Sequence, residues 1–274
     1  MRPQALLLYA PGTNRDLEAA QAFELAGAQP DIVPLHDLRS GTKRWADYQL
    51  LVLPGGFSYA DALGAGKLFA LDLNAYFADE VGAFVQTGKP VIGICNGFQA
   101  LVKSGILPDQ RSEVGGQTSE KDTPTLDFRP PTSTLTFNAS GHFECRWVTL
   151  RPQSQTCVWT RGLTQPIDCP VAHGEGNFTV ADQSLIANLQ LCDQIALTYI
   201  RPDGSPANGK YPHNPNGSLA DIAGICNLQG NVLGLMPHPE DHIVRYQHPR
   251  WTRGDRGGLG LRLFENGVRH AAQL

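Results

Sequence analysis

Cys95 stands where a thiol could act as a nucleophile. It follows the apolar run Val91-Ile92-Gly93-Ile94, whose β-branched residues suit a buried strand, and precedes Asn96-Gly97-Phe98-Gln99-Ala100-Leu101-Val102, which reads as the start of a packed helix. A strand, a tight turn and a helix with a nucleophile at the turn make a nucleophile elbow, and Gly93 and Gly97 leave that turn the room that Cβ atoms would occupy. A sulfur at a helix N-terminus faces unpaired N–H groups and the positive end of the helix dipole, which favour its ionised form. The N–H of Asn96 would lie beside any carbonyl that Cys95 attacks, as half of an oxyanion hole. Such chemistry is acyl transfer through a thioester, and it requires a base and a second oxyanion donor.

Three histidines carry a glutamate two residues on: His142 with Glu144, His173 with Glu175 and His238 with Glu240. Only His238 has a proline on both sides. Pro237 and Pro239 exclude helix and bias the chain to extended backbone, in which residues i and i+2 share a face. A carboxylate there can hold the Nδ1 proton and leave Nε2 to serve Cys95. The spacing favours His238 modestly and leaves the other two open. The second oxyanion donor has one candidate in Gly56, within Pro54-Gly55-Gly56-Phe57-Ser58-Tyr59 at the end of an apolar strand over residues 49 to 53. A glycine pair there is either a tight turn or a backbone N–H able to approach a ligand closely.

The elements around these residues suggest a parallel α/β sheet. Residues 5 to 9 read as a buried strand. The turn Pro11-Gly12-Thr13-Asn14 ends in a helix cap, residues 16 to 26 as a helix, and residues 31 to 35 as a second strand, which together form a βαβ unit with a right-handed crossover. Ligands of open α/β sheets bind at the carboxyl ends of the strands, where Gly56 and Cys95 both fall. Helix is expected over most of residues 63 to 85, and a surface loop over residues 108 to 134, which proline and glycine interrupt repeatedly. Residues 134 to 150 alternate as two strands of a hairpin around Asn138-Ala139-Ser140-Gly141. Strands are also expected at 195 to 200 and 231 to 235, a hairpin turning through Gln229-Gly230, and a closing helix over 259 to 272.

Composition excludes several alternatives. With 274 residues, 41% of them hydrophobic, the chain can bury a full core, and we read it as one domain over residues 1 to 274. A formal net charge of −4 gives no electrostatic case for nucleic acid. No apolar run approaches membrane-spanning length. The six cysteines form no C-x-x-C pair and no metal-ligand spacing, so reduced thiols in a cytoplasmic enzyme are expected, with no bound metal. No phosphate-binding G-x-x-x-x-G-K-[ST] loop is present, because Gly64-Ala65-Gly66-Lys67 lacks both its spacing and its hydroxyl.

Gly93-x-Cys95-x-Gly97-x-Gln99, Pro54-Gly55-Gly56 and Met236-Pro237-His238-Pro239-Glu240 together resemble the signatures of the class I (triad) glutamine amidotransferases. The runs Asn138 to Val148, Pro170 to Phe178 and Tyr211 to Ser218 resemble one branch of that class, the glutaminase part of phosphoribosylformylglycinamidine synthase. The resemblance spans nearly the whole chain and implies a flavodoxin-like fold with a central, mostly parallel sheet and flanking helices. It decides the base in favour of His238, oriented by Glu240, and assigns Gly56 as oxyanion donor beside Asn96. It implies that Cys95 attacks the side-chain amide of glutamine and releases ammonia. Gln99, His173, Gly174 and Glu175 are the expected contacts to bound glutamine. The expected partners are a synthetase subunit (PurL), which would hold ATP and magnesium, and a small subunit (PurS), with no cofactor in this chain. The basic tail after Asp241 is expected to be solvated or to face a partner.

Overall fold

The computed structural model describes residues 2–108, 132–254 and 257–274. Its centre is a nine-stranded sheet. From one edge the order is β2 (Gln29–Pro34), β1 (Gln4–Tyr9), β3 (Leu50–Leu53), β4 (Val91–Ile94), β11 (Val232–Leu235), β10 (Ile222–Cys226), β9 (Ile195–Ile200), β6 (Glu144–Pro152) and β7 (Ile167–His173). The first five are mutually parallel, and each later neighbour reverses, so only β10 and β6 run against the rest. The expected mostly parallel sheet is therefore present, with an antiparallel extension on one side. β5 (Ser133–Thr136) and β8 (Asn177–Val180) form a separate two-stranded sheet.

The parallel strands are buried on both faces and read accordingly as unbroken apolar runs: Leu50 to Leu53 and Val232, Leu233 and Leu235 are fully buried. Right-handed crossovers put α1 (Asp16–Leu25) on one face, where it packs on α7 (Leu261–Ala271). The other face carries α3 (Lys67–Tyr76), α4 (Ala78–Gln86) and α5 (Asn96–Lys103). The short α2 (Leu35–Arg39) follows β2, and α6 (Ser184–Leu191) precedes β9. Glycine sets how closely α5 lies on the sheet. A Cβ on Gly97 would come within 1.9 Å of Leu53 O, and one on Gly93 within 2.5 Å of Leu101 Cδ1.

Helix covers most of 63 to 85, as expected, in two segments broken at Phe77 (φ −137°), which packs against Trp45. Three expectations are corrected. Residues 134 to 150 are not a hairpin: β5 pairs with β8, while β6 joins the large sheet. The cause is Asn138, which ties the intervening turn to the β7–β8 connection through its backbone N–H to Gly174 O (2.9 Å) and its side chain to His173 O (2.7 Å). The second strand ends at Pro34, and Leu35 already begins α2. Helix α1 starts at Asp16 with Arg15 in the cap position and no side-chain cap, so Asn14 is left for other work. The hairpin of β10 and β11 is as expected. The loop expected over 108 to 134 lies almost wholly outside the described residues. In the tail, Arg245, Arg250 and Arg253 are exposed. Among the described residues no helix is long and apolar enough to cross a membrane.

Candidate active site

Cys95 is the single residue between β4 and α5, with φ 50° and ψ −103°. Left-handed backbone on a residue with a Cβ is held there only by its surroundings. Its N–H is fixed by Leu235 O on the neighbouring strand (2.8 Å), and its carbonyl accepts the first helical bond, from Gln99 N–H (3.0 Å). The side chain is thus raised above the sheet, with the N–H of Asn96 in the first turn of α5, where no intrahelical acceptor exists. Sγ lies 3.7 Å from Ala172 O, to which the thiol can donate.

His238 arrives from β11, the strand paired to β4, and its N–H is bonded to Pro170 O (2.8 Å). Its Nδ1 stands 2.7 Å from Glu240 Oε1, while its Nε2 is buried and makes no hydrogen bond among the described residues. The pairing is the one expected, but the backbone that makes it is not. Proline did not exclude helix here: Pro239 is the first residue of a 3₁₀ turn, Pro239–His242, a place where its missing N–H and fixed φ are tolerated. That turn brings the carboxylate back under the imidazole. A glycine completes the fit, because a Cβ on Gly55 would lie 2.8 Å from His238 Cε1 and 3.5 Å from Cys95 Cβ.

Burial alone would strip His238 of its proton. The charge of Glu240, the nearby Cys95 sulfur and the hydrogen bond to Glu240 outweigh it and hold the imidazole well above its usual range. His173, comparably buried, has no such partner: burial and the nearby His238 push it down to about 3. Asp241 rises to about 6 through burial and the like charge of Glu240.

Cys95, His238 and Gly56 line one cavity of about 300 Å³ together with Asn14, Arg15 and Ala172. Phe57 and Phe143 stack at 6.4 Å and also line it. Gly56 has φ 131°, and a Cβ there would meet Asn14 N at 2.6 Å. Its neighbours carry the bridge to the β1–α1 turn, Phe57 N–H to Gly12 O (3.1 Å) and Arg15 N–H to Gly55 O (3.3 Å). His238, Glu240 and Asp241 also form a group of metal-ligand types within 4.8 Å of one another. The 2.7 Å contact between imidazole and carboxylate is that of a shared proton. A larger cleft of about 710 Å³ beside Trp147, Asp168 and His248 holds no thiol.

The model of the CobB/CobQ-like glutamine amidotransferase domain matches residues 2–271. The chain belongs to this glutamine amidotransferase family. It is 55% identical over 273 residues to phosphoribosylformylglycinamidine synthase subunit PurQ of Treponema denticola, covering 98% of this chain and 99% of that one. It is 36% identical over 242 residues to phosphoribosylformylglycinamidine synthase of Drosophila melanogaster, covering 87% of this chain and 17% of the fly protein. The structure of PurLQS from Thermotoga maritima contains a chain that matches with a TM-score of 0.71 and 30% identity, covering 98% of this chain and 99% of that one.

The other site residues expected for this amidotransferase fall outside the cavity wall. Gln99 is buried and uses its amide to bond Glu175 O (2.6 Å) and Asn96 Nδ2 (3.2 Å). The Glu175 carboxylate accepts from Ala65 N–H (3.3 Å) and faces Lys103 Nζ (3.5 Å). Gly174 O is taken by Asn138 N–H, and His173 Nδ1 by Asn138 Oδ1 (3.1 Å). These residues brace the site from behind. Neither rival base is paired with its glutamate: His142 is exposed, and Glu144 is bonded by Arg146 (2.8 Å). Asn14 and Arg15 were missed as wall residues of the amidotransferase. Their position at the carboxyl end of β1, beside β3, was the available signal.

Proposed function

We propose that this chain is the glutaminase subunit of phosphoribosylformylglycinamidine synthase, acting as one catalytic domain in the cytoplasm and delivering ammonia to a synthetase subunit in purine biosynthesis. The observation that carries the chemistry is the relay from Glu240 Oε1 to His238 Nδ1 at 2.7 Å, with a free, buried Nε2 in the same cavity as Cys95. Cys95 sulfur attacks the side-chain amide carbon of glutamine as His238 takes the thiol proton. The N–H groups of Gly56 and Asn96 receive the charge that builds on the amide oxygen. The C–N bond then breaks, the departing nitrogen takes the proton from His238, and ammonia leaves a glutamyl thioester. Water, deprotonated by His238, attacks the thioester, and glutamate and the thiolate are released.

The pathway assignment is supported by near full-length identity to PurQ proteins and by likeness to a chain in a PurLQS structure. The reading includes PurL and PurS as partners, with ATP and magnesium held by the synthetase. Free thiols at all six cysteine positions suit a reducing compartment. The test is glutamine hydrolysis by the chain with and without the synthetase subunit, with acid trapping of labelled glutamyl-enzyme. Expected are turnover that rises on adding the synthetase and its substrates, and a trapped adduct lost in Cys95→Ala. Full activity alone, without response to the synthetase, would instead make it a free-standing amidase, and turnover by Cys95→Ala would end the assignment.

A further inference from the structure

The connection that follows Gly56 is an unusual piece of backbone. Positive φ recurs at Gly56, Gly64 and Gly66 and also at Tyr59 (55°), Ala60 (54°), Asp61 (51°) and Leu63 (66°), none of which is glycine. Side-chain-bearing residues stay in that region only where contacts over-determine it. Beside the bonds of Tyr59 to Pro11 O and to Asp72, several of these contacts converge on one side chain. Asn96 Oδ1 accepts from Ser58 N–H (3.3 Å) and from Ser58 Oγ–H (2.5 Å). Asn96 Nδ2 donates to Asp61 Oδ1 (2.8 Å) and to Gln99 Oε1 (3.2 Å). A carboxamide can make four such bonds, and this one makes all four while buried.

The far end of the same connection is tied to the same helix. Lys103 Nζ donates to Ala65 O (2.5 Å), and the Glu175 carboxylate that accepts from Ala65 N–H is attached to the carbonyl that holds Gln99. A Cβ on Gly66 would come within 2.8 Å of Ala100 N, so the connection lies directly on α5. The residue whose own N–H is one oxyanion donor therefore uses its side chain to fasten the segment that carries the other, Gly56, two positions before Ser58.

We propose that the Asn96 carboxamide, braced by Gln99 and Glu175, is the positioning group of the oxyanion site, holding the strained turn so that the Gly56 and Asn96 N–H groups converge on one point. This rests on the reading of Cys95 as an amidase nucleophile. Its consequence is selective. Glutamine binding in the ground state is indifferent to the placement of the donors within a fraction of an ångström, whereas the tetrahedral state, with its charged oxygen, is not.

The experiment compares the wild-type chain, Asn96→Ala and Ser58→Ala, each assembled with the synthetase subunit. Asn96→Ala keeps the backbone N–H and removes only the carboxamide. Each protein is assayed for kcat and KM with glutamine, and for binding of glutamate γ-semialdehyde. In that adduct the Cys95 sulfur bonds the aldehyde carbon, the C=O double bond becomes single, and the thiol proton passes to the oxygen. Asn96→Ala is expected to lose about 10²-fold in kcat and a similar factor in aldehyde affinity, with KM changed less than about threefold. Ser58→Ala, which deletes one of the four bonds, should show the same split at about tenfold, and it carries the test if Asn96→Ala does not fold. Loss of kcat and KM in parallel, or aldehyde affinity unchanged in the folded variants while the wild type is active, overturns the proposal. A wild-type complex that neither hydrolyses glutamine nor binds the aldehyde overturns the reading of the site as well.

Discussion

His173 and His238 make a controlled pair: they are 3% and 2% exposed, each has a glutamate two residues on, and their protons are held in opposite ways. Burial disfavours the charged form of both. In His238 a carboxylate at 2.7 Å reverses that, whereas the Nδ1 of His173 meets only the neutral amide oxygen of Asn138. Spacing in sequence did not decide which pair would form. A 3₁₀ turn starting at Pro239 folds Glu240 back under its histidine, while the chain after His173 sends the Glu175 carboxylate to Ala65 and Lys103. One histidine is thereby held toward its charged form beside the cavity thiol, and the other is a neutral piece of the scaffold.

The largest effect that could break this contrast is substitution of the two rings. His238→Asn should lower kcat/KM by about 10³-fold or more, in the range of a lost general base, while His173→Asn should stay within about tenfold. Steady-state glutaminase kinetics checks it, and equal losses would erase the distinction. Next, Glu240→Gln keeps the shape but presents an amide to Nδ1, and a loss of about 10²-fold to 10³-fold is expected. If that variant keeps more than half of the activity, the carboxylate is not orienting the base.

Glycines sharpen the comparison further, because each ring rests on one. A Cβ on Gly55 would lie 2.8 Å from His238 Cε1, and one on Gly176 would lie 2.3 Å from His173 Cε1. Gly55→Ala should cost at least about tenfold in kcat through displacement of the base, with a smaller loss of stability. Gly176→Ala should destabilise by roughly 1–3 kcal/mol, as overpacking does, with the smaller loss of activity. Denaturation midpoints and kcat, measured together on both variants, read out the two signatures.

The smallest effect is in pH dependence. With His173 at about 3 when folded and near 6.5 when unfolded, the unfolded chain takes up the proton first. The contribution to stability is therefore fully present above pH 6.5 and is lost as pH falls toward 3, by about 0.7 kcal/mol between pH 7 and 6. His173→Gln should flatten that slope in urea titrations. His238 has the opposite sign, since its raised pKa stabilises below pH 6.5 and the contribution declines as pH rises through the folded value.

What could be read in the sequence was whatever local chain geometry determines. The apolar run 91 to 94 ending at Cys95 and the glycines on either side are features of a few adjacent residues, and each is in place; the His238–Glu240 pair is also in place, but its choice over the two rival pairs came from the family resemblance. Long-range pairing was not legible in the same way. The alternation of residues 133 to 136 is equally compatible with β6 or β8 as a neighbour, and the side chain of Asn138 decides between them. Gln99 and Glu175 have the polarity of substrate ligands, but they spend it on each other and on Ala65 and Lys103, partners remote in sequence, with Gln99 also bonded to Asn96 one turn away. The break at Phe77 was hidden because helix propensity continues through it.

Strands β4 and β11 lie side by side, with Ile94 opposite Leu235, although they come from different halves of the chain. On a ribosome making this protein, the thiol emerges long before its imidazole, and β4 has only β3 to lean on until residues 232–235 are synthesised. On the proposed mechanism, a nascent or prematurely terminated polypeptide therefore carries a thiol without its base and releases no ammonia. Hydrolytic competence then comes with the last strand of the parallel set, so synthesis itself times the appearance of the activity.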